Sequence, residues 1–165
     1  MNYRNLMQHA YQYGEANSHD TSTKLGALLV NPVSGHIKMK GANRYLSGAM
    51  ANDPQNHERP RKYAYIEHAE RDVLYQCFND VSTNPACLIM VAPWACCADC
   101  ARAIVYSGVT LLVVHKQACE KAPDRWKESI EFGWDILAKQ SVAVYQWDGK
   151  VGDCTNLFNG EEWRP

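Results

Sequence analysis

Three things are missing from this 165-residue chain: a long apolar run, a block of charge of one sign, and any repeat, linker or low-complexity segment. No stretch approaches the ~20 apolar residues a bilayer span needs, and the opening MNYRNLMQHAYQYGEANS lacks the uninterrupted apolar core of an export signal. The expected location is therefore cytoplasmic, with no membrane partner. Lysine and arginine total 17 against 18 aspartates and glutamates, a formal net charge of -1. With no Lys/Arg-rich helix to form a basic track for flanking nucleotides, a stable nucleic-acid partner is not expected. A composition 46% hydrophobic and 21% charged is that of a folded domain rather than a disordered chain, and one core is the default at this length.

What is present begins with seven cysteines. Without an export signal they argue for free thiols used in metal binding or catalysis rather than for a disulfide framework. Around them the pattern predicts a helix over 2–16, then strands KLGALLV (24–30) and HIKMKGA (36–42) joined through NPVSG as an antiparallel hairpin. Residues 43–63 have no periodicity and read as a long loop, of the kind that often carries function. A helix over about 67–79 follows, then the apolar strand ACLIMVA (86–92), a helix over ADCARAIVYSG closed by Gly108, the strand VTLLVVH, a helix over 123–139 and a last strand SVAVYQW. Two buried strands joined through a helix imply a parallel crossover. This order gives an α/β fold, a three-layer α/β/α sandwich around a five-stranded mixed sheet, as one domain over 1–147 with a C-terminal extension over 148–165.

Two motifs sit at strand-to-helix junctions in this scheme. His68 and Glu70 form H-A-E at the mouth of one helix, and Cys97 and Cys100 form C-x-x-C at the mouth of another. Alone, the first reads as a core histidine beside a solvated carboxylate, and the second as a redox dithiol or two core cysteines. Together they supply an imidazole and two thiolates, three ligands that leave the fourth tetrahedral position of zinc open for water, while Glu70 stands by to move protons. Residues two apart on a regular helix point in opposite directions, so His68 and Glu70 share one site only if the chain is still entering the helix at His68.

The H-A-E and C-x-x-C pair resembles the signature of the zinc-dependent nucleoside and nucleotide deaminases. KYAYIEHAERDVLY, SHDTSTKLGALLV, GANRYLSG and CARAIVYSGVTLLVV resemble segments of the deoxycytidylate deaminases, so the likeness covers roughly residues 16–145. It implies a cytidine deaminase-like fold in which His68, Cys97 and Cys100 bind zinc. A water activated at the metal would attack C4 of cytosine, with Glu70 protonating N3 and then the departing ammonia, converting dCMP to dUMP for thymidylate synthesis. By the same likeness Asn43 hydrogen-bonds the sugar and Tyr65 lines the sugar-phosphate side. The family also suggests a homo-oligomer, a hexamer or a dimer. Cys96 stands where the family has proline, which raises it as an alternative ligand. Arg44 and Leu46 depart from a motif tied to the regulatory triphosphate site, which puts control by dCTP and dTTP in question.

For the phosphate, Arg59, Arg61 and Lys62 lie just upstream of Tyr63–Tyr65, and Lys24 is a further candidate; each is equally readable as a solvated base. Trp94, just before the zinc cysteines, could stack on a pyrimidine or fill core, whereas Trp126 and Trp134 read as core or subunit interface. Alternatives are a 5-substituted dCMP or single-stranded nucleic acid as substrate, a structural zinc protein and a thiol redox protein.

Overall fold

Every residue of Gly26–Val30 is buried, because this strand, β1, has a packed layer on each face. Successive side chains of a strand point to opposite sides. Leu28 and Val30 meet Leu6, Met7, Ala10 and Tyr11 of the first helix, while Leu29 meets Val73, Leu74 and Ile104 on the other side.

The computed structural model describes residues 1–80 and 82–165. The elements are α1 (Tyr3–Asn17), β1 (Gly26–Val30), β2 (Ile37–Ala42), β3 (Arg44–Tyr45), α2 (Gly48–Ala51), α3 (Lys62–Tyr65), β4 (Ile66–Glu67), α4 (Ala69–Asn79), β5 (Ile89–Val91), α5 (Ala98–Ser107), β6 (Leu111–His115), α6 (Lys116–Glu120), α7 (Asp124–Lys139), β7 (Ala143–Trp147), β8 (Asn156–Phe158) and β9 (Glu161–Trp163). The main sheet has five strands in the order β2-β1-β5-β6-β7. β1 runs antiparallel to β2 and β5, and β5, β6 and β7 are parallel. Helices α4, α5 and α7 cover one face; α1 and residues from the C-terminal segment, among them Val151 and Trp163, cover the other. The three-layer mixed sandwich is thus the observed fold.

Local chemistry fixes the boundaries. Asn2 caps α1 by accepting from the Asn5 amide at 3.1 Å, and Gly108, at φ 78°, ends α5 in the left-handed region that glycine enters without a side-chain clash. Two departures from the sequence expectation bear on the site. The loop 43–63 is divided by α2 and a 3-10 turn at Pro54–His57, and leads into α3; the Tyr45 hydroxyl donates to the Asn56 carbonyl at 2.7 Å. The tail forms a two-stranded hairpin, β8 with β9, turned by Asn159 (φ 53°) and Gly160 (φ 87°), the doubly left-handed corner that suits right-twisted strands. No described helix is long and apolar enough to cross a membrane.

Candidate active site

The condition for His68 and Glu70 to share a site is met. His68 is extended (φ -75°, ψ 153°) and α4 begins at Ala69, so His68 and Glu70 are not two residues apart on a regular helix. Cys97 occupies the same position ahead of α5, extended at ψ 171°. Both are N-cap residues, where a side-chain oxygen normally satisfies a free amide. Neither caps its own helix, and other elements do it instead. The Ala69 amide donates to the Asn43 side-chain oxygen at 3.1 Å, and the Ala98 amide to the Ser129 hydroxyl of α7 at 3.2 Å. The imidazole and the thiol are left free for another task, at two helix ends that favour negative charge.

The donor atoms of His68, Cys97 and Cys100 all lie within 4.8 Å of one another. His68 Nδ1 is 3.6 Å from the Cys97 sulfur and 3.5 Å from that of Cys100. Tetrahedral zinc, bonded at about 2.3 Å to sulfur and about 2.0–2.1 Å to nitrogen, sets such pairs about 3.5–3.6 Å apart. The three residues therefore fit zinc as they stand. A hydrogen bond from Cys100 pulls the Cys97 thiol down to about 3, against burial and with help from His68. The same bond, with burial, pushes Cys100 well up, so the first of the two sulfurs ionises far more readily than the second. Arg71 places Nη1 3.8 Å from the Cys100 sulfur and Nε 2.5 Å from a Glu67 oxygen, putting positive charge beside the thiolates. Cys96 is not part of this group. Its side chain is buried in the core and burial pushes its thiol up, removing it as a ready ligand.

Glu70 is buried, and burial raises its pKa, so its carboxyl binds a proton more readily than an exposed one does. It lines a pocket with His68 and Cys97 whose other walls include Asn43, Trp94, Trp126 and Ile130. The Trp126 ring meets His68 edge-on at 5.5 Å, Tyr63 at 5.2 Å and Trp94 at 6.4 Å. The cations lining this pocket are Arg59, Lys62 and Arg125.

Of the substrate-side candidates, Asn43, Trp94, Arg59 and Lys62 are in the lining, and Lys24, Arg61 and Tyr65 are not. Lys24 precedes β1 rather than starting it, and is held by Glu15 at 2.9 Å. Arg61 donates to Asn56 at 2.9 Å and lies over the Tyr65 ring, so these two occupy each other outside the pocket. Lys62 is in the wall but is buried against Asp20 at 2.7 Å. Sequence reasoning missed Arg125, Ser129 and the placement of Trp126. They lie with Ile130 and Gly133 on one face of α7, the face that an i, i+4, i+8 reading picks out. It also missed the tail, where Phe158 meets Trp94 at 5.1 Å; the Asn-Gly between two short β-prone runs was its signal.

The family model for the cytidine and deoxycytidylate deaminase zinc-binding region matches residues 1–116. The chain belongs to this deaminase family. Zinc is accordingly the cofactor for which His68, Cys97 and Cys100 are placed. Solved structures with the same fold include a dCMP deaminase from the cyanophage S-TIM5, in complex with dCMP and dUMP, at 21% identity and a TM-score of 0.66 over 87% of this chain and 94% of that one. The apo form of that enzyme gives 0.63 at the same identity, over 87% and 96%. A guanine deaminase from Nitrosomonas europaea gives 0.53 at 18% identity, over 87% and 75%. No curated protein sequence matches.

Proposed function

We propose that this deaminase converts dCMP to dUMP and ammonia. The observation that carries the substrate is the rim of the pocket: Arg59 and Arg125 both line it, and among the described residues neither has a carboxylate partner. Their hydrogen-bond partners are neutral: Asn159 and Ser22 for Arg59, Tyr63 and Asn159 for Arg125. Two guanidinium groups meeting only neutral oxygens leave positive charge for an anion, and planar forks suit a phosphate ester. A free purine base such as guanine brings no such charge, and a polynucleotide would need basic surface beyond one rim.

Held by His68, Cys97 and Cys100, zinc would supply Lewis acidity toward the attacking water. The rest falls to the chain. Glu70 takes a proton from the attacking water and gives it to N3 of the cytosine. Oxygen bonds to C4, and the second water proton passes through Glu70 to the amino group, which leaves as ammonia as the C4–N bond breaks. Asn43 is assigned to the sugar, although its side chain already accepts from Ala69 and donates to Thr23, so it offers only its remaining lone pair and hydrogen. Trp94 and Trp126 form the aromatic walls for the base. dUMP is the precursor that thymidylate synthesis consumes.

The test is ammonia release and the ultraviolet change on zinc-loaded protein with dCMP, 5-substituted dCMP, CMP, deoxycytidine, dCTP, guanine and a cytosine-containing oligonucleotide. dCMP is expected to turn over best, and Glu70→Gln to cost on the order of a hundredfold or more in kcat with zinc content unchanged. Faster turnover of guanine or of the oligonucleotide would overturn the dCMP assignment.

A further inference from the structure

The hairpin formed by β8 and β9 returns across the chain to the pocket. The Lys24 amide donates to the Leu157 carbonyl at 2.9 Å, the Asn159 amide to the Thr23 hydroxyl at 3.0 Å, and the Gly160 amide to the Ser22 carbonyl at 2.7 Å. Phe158, buried at 6% exposure, stands behind the pocket wall against Trp94. At the tip, the side-chain oxygen of Asn159 accepts from Arg125 Nη2 at 2.7 Å and from Arg59 Nη2 at 3.2 Å. These two arginines come from distant parts of the chain and repel one another, yet one neutral oxygen draws both to the same point.

We propose that Asn159 is a positioning residue for substrate selection: it holds Arg59 and Arg125 together as a two-armed acceptor for a monophosphate, and the C-terminal hairpin is thereby a working wall of the site. The inference rests on the nucleotide reading above and adds to it the element that enforces the preference. An amide suits the task because its oxygen orients both guanidinium groups without cancelling their charge. A carboxylate there would supply the anion internally and compete with the substrate's own phosphate.

The position allows clean variants. Asn159 has φ 53° and is exposed, so Asn159→Gly removes the oxygen while tolerating the left-handed backbone. Asn159→Asp keeps the shape and adds the charge. The readout is the ratio of kcat/KM for dCMP to that for deoxycytidine in zinc-loaded full-length enzyme, with calorimetric binding of dUMP and deoxyuridine as a measure independent of turnover. For Asn159→Gly the ratio is expected to fall about tenfold, mainly through KM for dCMP, as suits a lost hydrogen bond to charged groups. For Asn159→Asp the fall should be larger, and dUMP binding should weaken towards that of deoxyuridine. A merely structural role would lower both substrates together and leave the ratio unchanged, which overturns the inference. If the wild-type enzyme itself shows no preference for dCMP over deoxycytidine, the nucleotide reading fails; if it does and both variants retain it, only the role of Asn159 fails.

Discussion

At the scale of single residues, the site sets two sulfurs against one another. Cys97 is held down to about 3 by its hydrogen bond with Cys100, and Cys100 is held up by the same bond. Zinc takes both as thiolates, so loading must expel the Cys100 proton. At least one proton is expected to leave per zinc bound near neutral pH, that of Cys100 together with any share held by His68, whose pKa burial lowers but Cys97 and Glu70 raise to a net increase, and the apparent zinc affinity should weaken as pH falls from about 8 to about 6. Calorimetry in buffers of different ionisation enthalpy, with chelator competition at each pH, measures both. An affinity flat across that range would mean that the sulfurs are already both ionised without metal.

At the scale of elements, the site exists because other segments take over work its residues have given up. His68 and Cys97 each stand where a helix expects a cap, and Asn43 and Ser129 cap from elsewhere. Helix α7 comes close enough to do this because Gly133 has no side chain: a Cβ there would lie 2.5 Å from the Cys96 carbonyl oxygen and 3.2 Å from the Cys97 carbonyl carbon. Gly133→Ala is therefore expected to push α7 off the metal loop, lowering stability by about 1–3 kcal/mol and loosening zinc. Denaturant unfolding and metal content after dialysis check it; unchanged values for both would mean that the loop yields without cost.

The same contrast separates what was legible in the sequence from what was not. The apolar runs of 26–30, 89–91 and 111–115 express burial, and turn signals and helical periods set off the rest, so the five strands and their crossovers could be read. The zinc ligands could be read because short spacings at helix mouths constrain geometry. Arg61, Tyr65 and Lys24 illustrate the limit: each is near the site in sequence, yet Asn56, the Arg61–Tyr65 contact and Glu15 occupy them. Arg125, which does line the pocket, and Asn159, which accepts from it, arrive from α7 and the tail through long-range packing that local pattern does not encode.

At the scale of the molecule, the tail is joined to the sheet through His115 at the end of β6. Its Nε2 faces the Gly149 carbonyl at 2.9 Å and must donate, so in the neutral ring Nδ1 accepts from the Tyr11 hydroxyl at 2.8 Å. Trp163 stacks on the same ring at 5.7 Å and meets Tyr11 edge-on at 5.8 Å. One neutral imidazole thus links α1, the sheet and the C-terminal segment. Burial lowers its pKa, with the Gly149 contact opposing. Below about pH 6.5 the unfolded chain takes up a proton that the folded ring resists. The contribution is therefore complete above the unfolded value and is lost as pH falls through the folded one. His19, lowered by burial and by Arg44, acts with the same sign. His115→Gln should consequently be less stable than wild type near neutrality but show a shallower fall of Tm between about pH 7 and about pH 5. Loss of zinc in acid affects both proteins alike, so the difference between their slopes isolates the histidine. Parallel slopes would show that His115 is protonated no less readily in the folded protein than in the unfolded chain.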